Sequence, residues 1–162
     1  MMAETPDFAE LTRQTKDAAW MRLALQQARL AGEAGEVPVG ALVIKDEQIV
    51  GQGHNRNLLD HDPSAHAEIV ALRKAAATLG NHRLGGCEMF VTIEPCAMCA
   101  GAVVHARLAR LVYGATDPKA GAVSSVLQVV NHPGLNHKLE VVPGILAREC
   151  SAILQRFFRD RR

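Results

Sequence analysis

The stretch EMFVTIEPCAMCAGAVVHARLARLVYGA (residues 88–115) predicts a strand, a helix and a second strand in direct succession. Its first six residues are rich in β-formers. The helix follows Pro95, which suits a first helical turn because the N–H that proline lacks would have no partner there. A C-x-x-C pair, Cys96 and Cys99, lies at this junction. The stretch therefore carries both a fold signal and side chains able to bind metal or undergo redox chemistry.

The rest of the chain extends this alternation of helices and strands. Upstream, apolar spacing predicts a helix at 17–32, two strands at 39–55 that turn at 45–47, and a helix at 65–80. Downstream, an irregular stretch with some helical character, residues 117–137, precedes one more strand and a last helix. An opening hairpin followed by alternating strands and helices implies an α/β fold, a three-layer α/β/α sandwich around a mixed five-stranded sheet.

Length and composition are those of one soluble globular domain. The chain has 162 residues, of which 48% are hydrophobic and 22% charged, with a formal net charge of +1. We assign residues 16–162 to a single domain and expect residues 1–15 to be poorly ordered. No apolar run reaches the roughly 18 residues that a membrane span needs. The N-terminal stretch has no signal-like apolar core, so we expect a cytoplasmic protein without a membrane partner.

The four cysteines fall into two groups. A disulfide framework is not expected in a cytoplasmic chain of this size, and there a close C-x-x-C pair indicates metal binding or redox activity. Cys87 precedes an apolar strand and Cys150 lies in a helical pattern, so we interpret both as buried small hydrophobic residues. Cys96 and Cys99, three residues apart at a helix start, can bind one ion from the same side of the helix.

A third ligand is available in SAHAEIVAL (residues 64–72), where His66 also begins a helix after a loop. Zinc in catalytic sites takes three nitrogen or sulfur ligands and leaves a fourth position for water. Glu68 would point away from the ligand direction of His66 and towards that open position. A carboxylate placed there can take the proton of a metal-activated water.

Other interpretations of these residues remain open locally. The chain has seven histidines, and a lone histidine is more often a surface or core residue than a ligand. A lone C-x-x-C can be a redox dithiol, although such a dithiol needs no upstream H-x-E. A closed structural zinc site needs a fourth protein ligand, usually from a second C-x-x-C, which the sequence does not contain. The combination of H-A-E with E-P-C-x-x-C therefore favours an open, catalytic zinc site.

The pair H-x-E and P-C-x-x-C resembles the signature of zinc nucleobase deaminases. More specifically, the chain is similar to the bacterial tRNA-specific adenosine deaminases of the cytidine deaminase superfamily. The similarity runs from about Trp20 to the C-terminus and includes EVPVGALV, GHNR, HDPSAHAEIVALR, YGATDPKAGA, NHPGLNH, GILARECSAIL and FFRDRR. This resemblance implies a cytidine-deaminase-like fold, one Zn²⁺ per subunit and a homodimer. It also implies hydrolysis of the wobble adenosine of a tRNA anticodon stem-loop, of the arginine type, to inosine and ammonia.

The resemblance also implies roles for individual residues. His66, Cys96 and Cys99 would bind zinc, and Glu68 would carry protons from water to the adenine ring and to the departing ammonia. The resemblance also places Asn55 at the nucleoside sugar, although a turn residue after a strand is an equally good local interpretation of Asn55. It puts the backbone of Ala67 and the neighbourhood of Val37 and Pro38 around the base. Positions that match RNA-contacting parts of relatives are Asp117, Lys119, Phe158, Arg159 and Arg161.

The sequence departs from the family at several points. Thr116 and Pro118 stand where relatives often carry Arg and Ala, which removes one positive charge near the expected RNA path. The stretch before Lys16 is longer than in the family, and we assign it no function. The C-terminal arginines, which include Arg162, are equally consistent with a solvated helix end that complements the helix dipole.

Two rival functions remain at this point. The nearer one is a deaminase of a free nucleobase or nucleoside such as guanine, cytosine or cytidine, which would share the zinc ligands and Glu68. It has no need for YGATDPKAGA or the basic tail. The other is a non-catalytic module that binds zinc or RNA. Glu68 beside an open metal position argues against it, because a purely structural zinc site would be closed by a fourth protein ligand.

Overall fold

The computed structural model describes residues 8–161, which form four helices and five strands in the expected order. The elements in chain order are α1 (Phe8–Glu33), β1 (Gly40–Lys45), β2 (Gln48–His54), α2 (Ala67–Leu79), β3 (Glu88–Ile93), α3 (Ala97–His105), β4 (Arg110–Ala115), β5 (Glu140–Val142) and α4 (Ala147–Arg159). β1 and β2 form the predicted hairpin, with Asp46 and Glu47 both at positive φ in its two-residue turn. Along the described part of the chain, no helix is both long and apolar enough to cross a bilayer.

The sheet is mixed and has the strand order β2-β1-β3-β4-β5. β1 is antiparallel to both of its neighbours, while β3, β4 and β5 run parallel to one another. β2 consequently points the same way as β3 and β4. The loops that follow β2, β3 and β4 therefore all leave the sheet at one edge, which is where open α/β sheets form their sites.

Alternate side chains of each strand bury two separate cores, one on each face of the sheet. Ala41 and Val43 of β1 pack with residues of α2 and α3, whereas Leu42 and Ile44 pack with α1 and α4. This period-two division follows from the pleat of the strands. The α/β/α sandwich with a mixed five-stranded sheet is thus confirmed, and α2 and α3 share one face. Cys87 and Cys150 are buried in these cores, as expected.

Residues 8–15, part of the stretch that we expected to be poorly ordered, form the first two turns of α1. Arg13 is ion-paired with Glu140 of β5, and the next residue but two, Lys16, pairs with Glu47 of the hairpin turn. These two ion pairs join the N-terminal half of α1 to the sheet and its hairpin turn. Residues 1–7 of the stretch expected to be poorly ordered lie outside the described residues. The assignment of residues 16–162 to one domain stays a prediction.

A buried ion pair occupies the opposite edge of the sheet from the loops after β2, β3 and β4. Arg110, the first residue of β4, is 4% exposed and makes a two-pronged contact with Asp17 of α1, at 2.7 and 2.6 Å. Glu88 and Glu140 lie 3.8 and 3.6 Å from the same guanidinium. Because Asp17 is also buried, this contact ties α1 to the sheet through two desolvated charges.

Candidate active site

His66 and Cys96 occupy equivalent positions at the starts of two neighbouring helices. Each is the N-cap residue of its helix, α2 or α3, and neither uses its side chain to cap that helix. For α2 the cap comes from elsewhere, because Oδ1 of Asn55 accepts the N–H of Ala67 at 2.9 Å. The imidazole of His66 is therefore free to act as a ligand.

Three candidate ligand atoms converge at this point. Nδ1 of His66 lies 3.6 Å from Sγ of Cys96 and 3.5 Å from Sγ of Cys99, and all three atoms lie within 4.8 Å of one another. A zinc ion about 2.3 Å from each sulfur and about 2.0 Å from the nitrogen, in tetrahedral geometry, holds sulfur and nitrogen about 3.5 Å apart. The residues thus fit a zinc ion, and three protein ligands leave the fourth position open.

The electrostatics of the two thiols also favour a cation. Hydrogen bonds from Cys99 and from His66 lower the pKa of Cys96 to about 3. The pKa of Cys99 is raised, chiefly by its hydrogen bond to the Cys96 sulfur and by burial, with Glu68 nearby. Two adjacent sulfurs of this kind can both be thiolates when a divalent cation lies between them.

Glu68 lies in the first turn of α2, next to the ligand group but not part of it. Its side chain is 3% exposed, and it faces the cavity that His66 and Cys96 also line. Burial raises the pKa of this carboxyl above its usual range, while hydrogen bonds from its own backbone and from Cys99 act in the opposite direction. A carboxyl group in this position can accept a proton from a water molecule and return it.

The cavity in front of this group has a volume of about 450 Å³, a size suited to a nucleoside. Asn55 and Val37, which the family resemblance assigns to the substrate, both line this cavity. Pro38 does not line it; the neighbouring Val39 does, while Pro38 is buried beside Gly32 of α1. The assignment of Pro38 to the neighbourhood of the base stays a prediction. Ala67 is buried behind the wall and contributes its N–H to Asn55.

The residues expected to contact RNA divide between the rim of the cavity and the end of α4. Asp117, Lys119 and Phe158 line the cavity, and Phe158 is 51% exposed there. Arg159 and Arg161 do not line it. Arg159 lies 3.8 Å from Asp160, and the guanidinium of Arg161 stacks on the ring of Phe157 at 3.5 Å. Arg162 lies outside the described residues. Their roles in RNA binding stay predictions.

Sequence reasoning missed two buried carboxylates that hold the loops around the cavity. Glu36 accepts the N–H groups of Leu58 and Leu59, each at 3.0 Å, and so fixes the loop that follows Asn55. Glu94 is 1% exposed. Burial alone would raise the pKa of Glu94, but hydrogen bonds led by those of Ser124 and Ser125 lower it to about 2. The only signal in the sequence was the position of Glu94 next to Pro95 in the zinc motif.

Comparison with known proteins places this site among deaminases. The sequence model of the MafB19-like deaminase family matches residues 15–162. The tRNA-specific adenosine deaminase of Haemophilus influenzae is 46% identical over 95% of this chain and 90% of its own length. The enzyme of the same name from Bacillus subtilis is 40% identical over 91% of this chain and 92% of its own.

Solved structures agree with the sequence relatives. A structure from a study of A-to-I editing at the wobble position of transfer RNA has a TM-score of 0.81 and 44% identity, covering 84% of this chain and 99% of that one. The guanine deaminase of Nitrosomonas europaea has a TM-score of 0.75 at 25% identity, over 97% of this chain and 95% of that one. The predicted cytidine-deaminase-like fold and the family resemblance are confirmed. The chain belongs to the deaminase family that includes the tRNA-specific adenosine deaminases.

Proposed function

We propose that this protein is a zinc-dependent tRNA adenosine deaminase, which hydrolyses the wobble adenosine of an arginine-type anticodon to inosine and ammonia. The observation that carries this proposal is the convergence of His66, Cys96 and Cys99 beside the buried Glu68 at the base of a nucleoside-sized cavity. The high identity to tRNA-specific adenosine deaminases over nearly the whole chain supports the choice of substrate.

The side chains divide the chemistry between holding a metal and moving protons. One zinc ion per subunit, held by His66, Cys96 and Cys99, would lower the pKa of a water molecule enough for it to react at neutral pH. Glu68 takes a proton from that water and delivers it to N1 of adenine. The oxygen of the water molecule bonds to C6, and the bond from C6 to the exocyclic nitrogen breaks. Glu68 carries the second proton of the same water molecule to this nitrogen, which leaves as ammonia.

The rest of the cavity suits a nucleoside that is still part of an RNA chain. Asn55 keeps its amide group available for the sugar, because only Oδ1 is engaged by Ala67. The half-exposed ring of Phe158 at the rim offers a surface on which a neighbouring base can stack. Lys119 adds a cation to the lining of the cavity. An anticodon loop presents its bases partly unstacked, so little free energy is needed to insert one.

A free-base deaminase remains the alternative, because guanine deaminases share the fold. We favour the RNA substrate since relatives that are 46% and 45% identical to this chain are named tRNA-specific adenosine deaminases. The segment YGATDPKAGA, which places Asp117 and Lys119 at the rim, has no evident use for a free base.

We further propose a cytoplasmic homodimer. Cytoplasm is where a tRNA-modifying enzyme meets its substrate. The outer surfaces of α2 and α3 leave an apolar groove of about 410 Å³ between them, lined by Ile69, Leu72, Ala76 and Ala102. A second copy of the chain would cover this groove, and sedimentation or light scattering of the purified protein tests whether it does.

The proposed substrate can be tested directly. Purified protein is incubated with a tRNA-arginine anticodon stem-loop that bears adenosine at the wobble position, and inosine is detected by sequencing. Free guanine, cytosine and cytidine are assayed in parallel. We expect inosine at the wobble position and no turnover of the free compounds. Turnover of the free compounds alone would contradict the tRNA substrate.

A further inference from the structure

We propose that Glu94 is a positioning residue for the RNA substrate, which acts by holding the rim segment, residues 117–125, against the zinc-ligand helix. The rim segment carries Asp117 and Lys119 at the mouth of the cavity. This inference rests on the proposed function for its substrate, but its structural half can be measured without RNA.

Glu94 lies where the rim segment and the metal motif meet. It follows the last residue of β3 and precedes Cys96 by two positions. Its N–H donates to the carbonyl of Ala115 at 2.8 Å, and the carbonyl of Pro95 accepts the N–H of Ala122 at the same distance. The backbone on either side of the Glu94 side chain is therefore joined to the last residue of β4 and to the interior of the rim segment.

The carboxylate itself gathers five hydrogen bonds from the rim segment. Oε2 accepts three successive backbone N–H groups, those of Val123 at 3.1 Å, Ser124 at 2.9 Å and Ser125 at 3.0 Å. Oε1 accepts the N–H of Asp117 at 3.1 Å and the hydroxyl of Ser125. Successive amides that point at one oxygen form an anion-binding turn, and here the anion is a side chain of the protein. One carboxylate thus holds the segment at both its beginning and its end.

The rim segment also packs directly on this carboxylate. A Cβ at Gly121 would lie 2.4 Å from the carboxyl carbon of Glu94 and 2.4 Å from Oε2. At that separation the carboxyl group would have to shift, which would disturb the hydrogen bonds that it accepts from the rim segment. Gly121 and Glu94 are therefore predicted to be coupled.

The five hydrogen bonds leave Glu94 no free oxygen for chemistry, although it borders the cavity. What it controls is the position of the rim. Oδ1 of Asp117 accepts the N–H groups of Lys119 at 3.0 Å and Ala120 at 3.2 Å, so these three cavity-lining residues move as one unit. Release of the segment would displace all of them together.

The zinc ligands and Glu68 belong to α2 and α3, not to the rim segment. Loss of the Glu94 contacts should therefore weaken RNA binding more than it slows the chemical step. A residue that served only general stability would instead reduce the fraction of active enzyme, which lowers kcat and leaves KM unchanged.

The test uses Glu94→Gln, which keeps the size of the side chain but replaces one acceptor oxygen with an NH₂ group facing N–H donors. With the anticodon stem-loop as substrate, we expect KM to rise on the order of tenfold while kcat changes by less than about threefold. Bound zinc should stay at the wild-type level. Ser125→Ala, which removes only the hydroxyl donor, is the matched control and should raise KM less.

Two further measurements make the result independent of activity. Hydrogen exchange of the Asp117 and Val123–Ser125 amides should accelerate in Glu94→Gln, while the amides of β3 and β4 keep wild-type rates. Gly121→Ala should raise KM in the wild-type background and add little to Glu94→Ala, because truncation of Glu94 removes the clash.

A fall in kcat with unchanged KM, loss of zinc, or unchanged exchange of the four amides would overturn the positioning role. If the wild-type protein does not deaminate the stem-loop at all, the proposed function fails instead, and the exchange data still report whether Glu94 holds the rim segment.

Discussion

At one end of β3 and β4, Arg110 and Asp17 are buried as a mutually satisfied pair, whereas at the other end His66, Cys96 and Cys99 converge on a cavity. Both ends concentrate groups that are costly to remove from water. In the first, each charge finds its partner within the protein, although Nε of Arg110 makes no hydrogen bond to the described residues. In the second, the ligand atoms of three residues face one another with room for a cation.

This difference separates the residues that stabilise the fold from those that carry the chemistry. The charges of Arg110 and Asp17 already bind each other, so they are not available to bind a ligand, even though a cleft adjoins them. The nitrogen and the two sulfurs that converge at the cavity can bind a divalent cation, which would compensate the negative charge of the sulfurs. Substitutions at the ion-pair end should therefore change the free energy of unfolding, and substitutions at the cavity end should change metal content and turnover.

The largest expected effect is that of removing a metal ligand. Cys99→Ala, and separately Cys96→Ala, should abolish zinc binding and with it deamination, because the remaining two side chains cannot hold the ion in tetrahedral geometry. Metal analysis of the purified variants measures this directly. Cys87→Ala is the control, because Cys87 lies in the core away from the ligand group, and it should keep its zinc. An unchanged zinc content in both ligand variants would refute the ligand assignment.

The next effect separates metal binding from proton transfer at the same end. Glu68→Gln should keep its zinc but lose on the order of 10³-fold or more in kcat, since general acid–base catalysis of this kind contributes about 10²–10⁴-fold. Single-turnover rates on the stem-loop give the loss, and metal analysis gives the zinc content. Turnover near the wild-type rate would remove Glu68 from the mechanism.

At the ion-pair end the expected change is in stability. Asp17→Asn leaves the buried Arg110 without its principal partner and should cost about 3 kcal/mol of unfolding free energy, since removing one member of a buried pair typically costs 3–5 kcal/mol. Lys16→Gln, which breaks only the exposed pair with Glu47, is the matched control and should cost much less, because solvent screens an exposed pair.

Urea unfolding gives both values, and zinc content and kcat/KM of folded Asp17→Asn should equal those of the wild type. Equal losses in the two variants, or a large fall in the kcat/KM of folded Asp17→Asn, would break the division between the two ends.

A smaller effect distinguishes the two roles of Asn55. Asn55→Asp keeps the acceptor for the Ala67 N–H but exchanges the cavity-facing amide donor for an oxygen. If the amide holds the sugar, kcat/KM should fall about 10- to 100-fold with α2 intact. Circular dichroism and steady-state kinetics together provide the measurement. Full activity in this variant would leave Asn55 with the capping role alone.

The smallest effect is expected at the rim. Lys119→Ala should weaken binding of the stem-loop only a few-fold and reduce by about 1 the slope of log binding constant against log salt concentration, as loss of a single phosphate contact does. Titration at several salt concentrations measures the slope. An unchanged slope would mean that Lys119 does not meet a phosphate.

Local sequence rules were enough to predict the metal group and the order of helices and strands along the chain around it. Cys96 and Cys99 are three residues apart at a helix start, and His66 begins another helix, so their convergence needed only that both helices pack on one face. The hairpin at Asp46 and Glu47 was equally local. These features depend on periodicity and on short-range geometry.

The features that sequence did not predict depend on distant parts of the chain. Glu94 acquires its partners from a segment some thirty residues away, by a route that no spacing rule specifies. Val39 lines the cavity while the neighbouring Pro38 does not, and Arg13 of α1 pairs with Glu140, 127 residues further along the chain. Long-range contacts of this kind are decided by the assembled fold.

The central claim is that one open metal site, with Glu68 as its acid–base group, removes the amino group of an adenine in an RNA loop by hydrolysis. The most direct measurement is the reaction of the zinc-loaded protein with the anticodon stem-loop in water labelled with oxygen-18, followed by mass spectrometry of the wobble nucleoside. The account predicts inosine that carries the heavy oxygen from the wild-type protein, and unreacted adenosine from Glu68→Gln with its zinc in place. Wobble adenosine that stays unreacted with the wild-type protein, or inosine without the label, would contradict it.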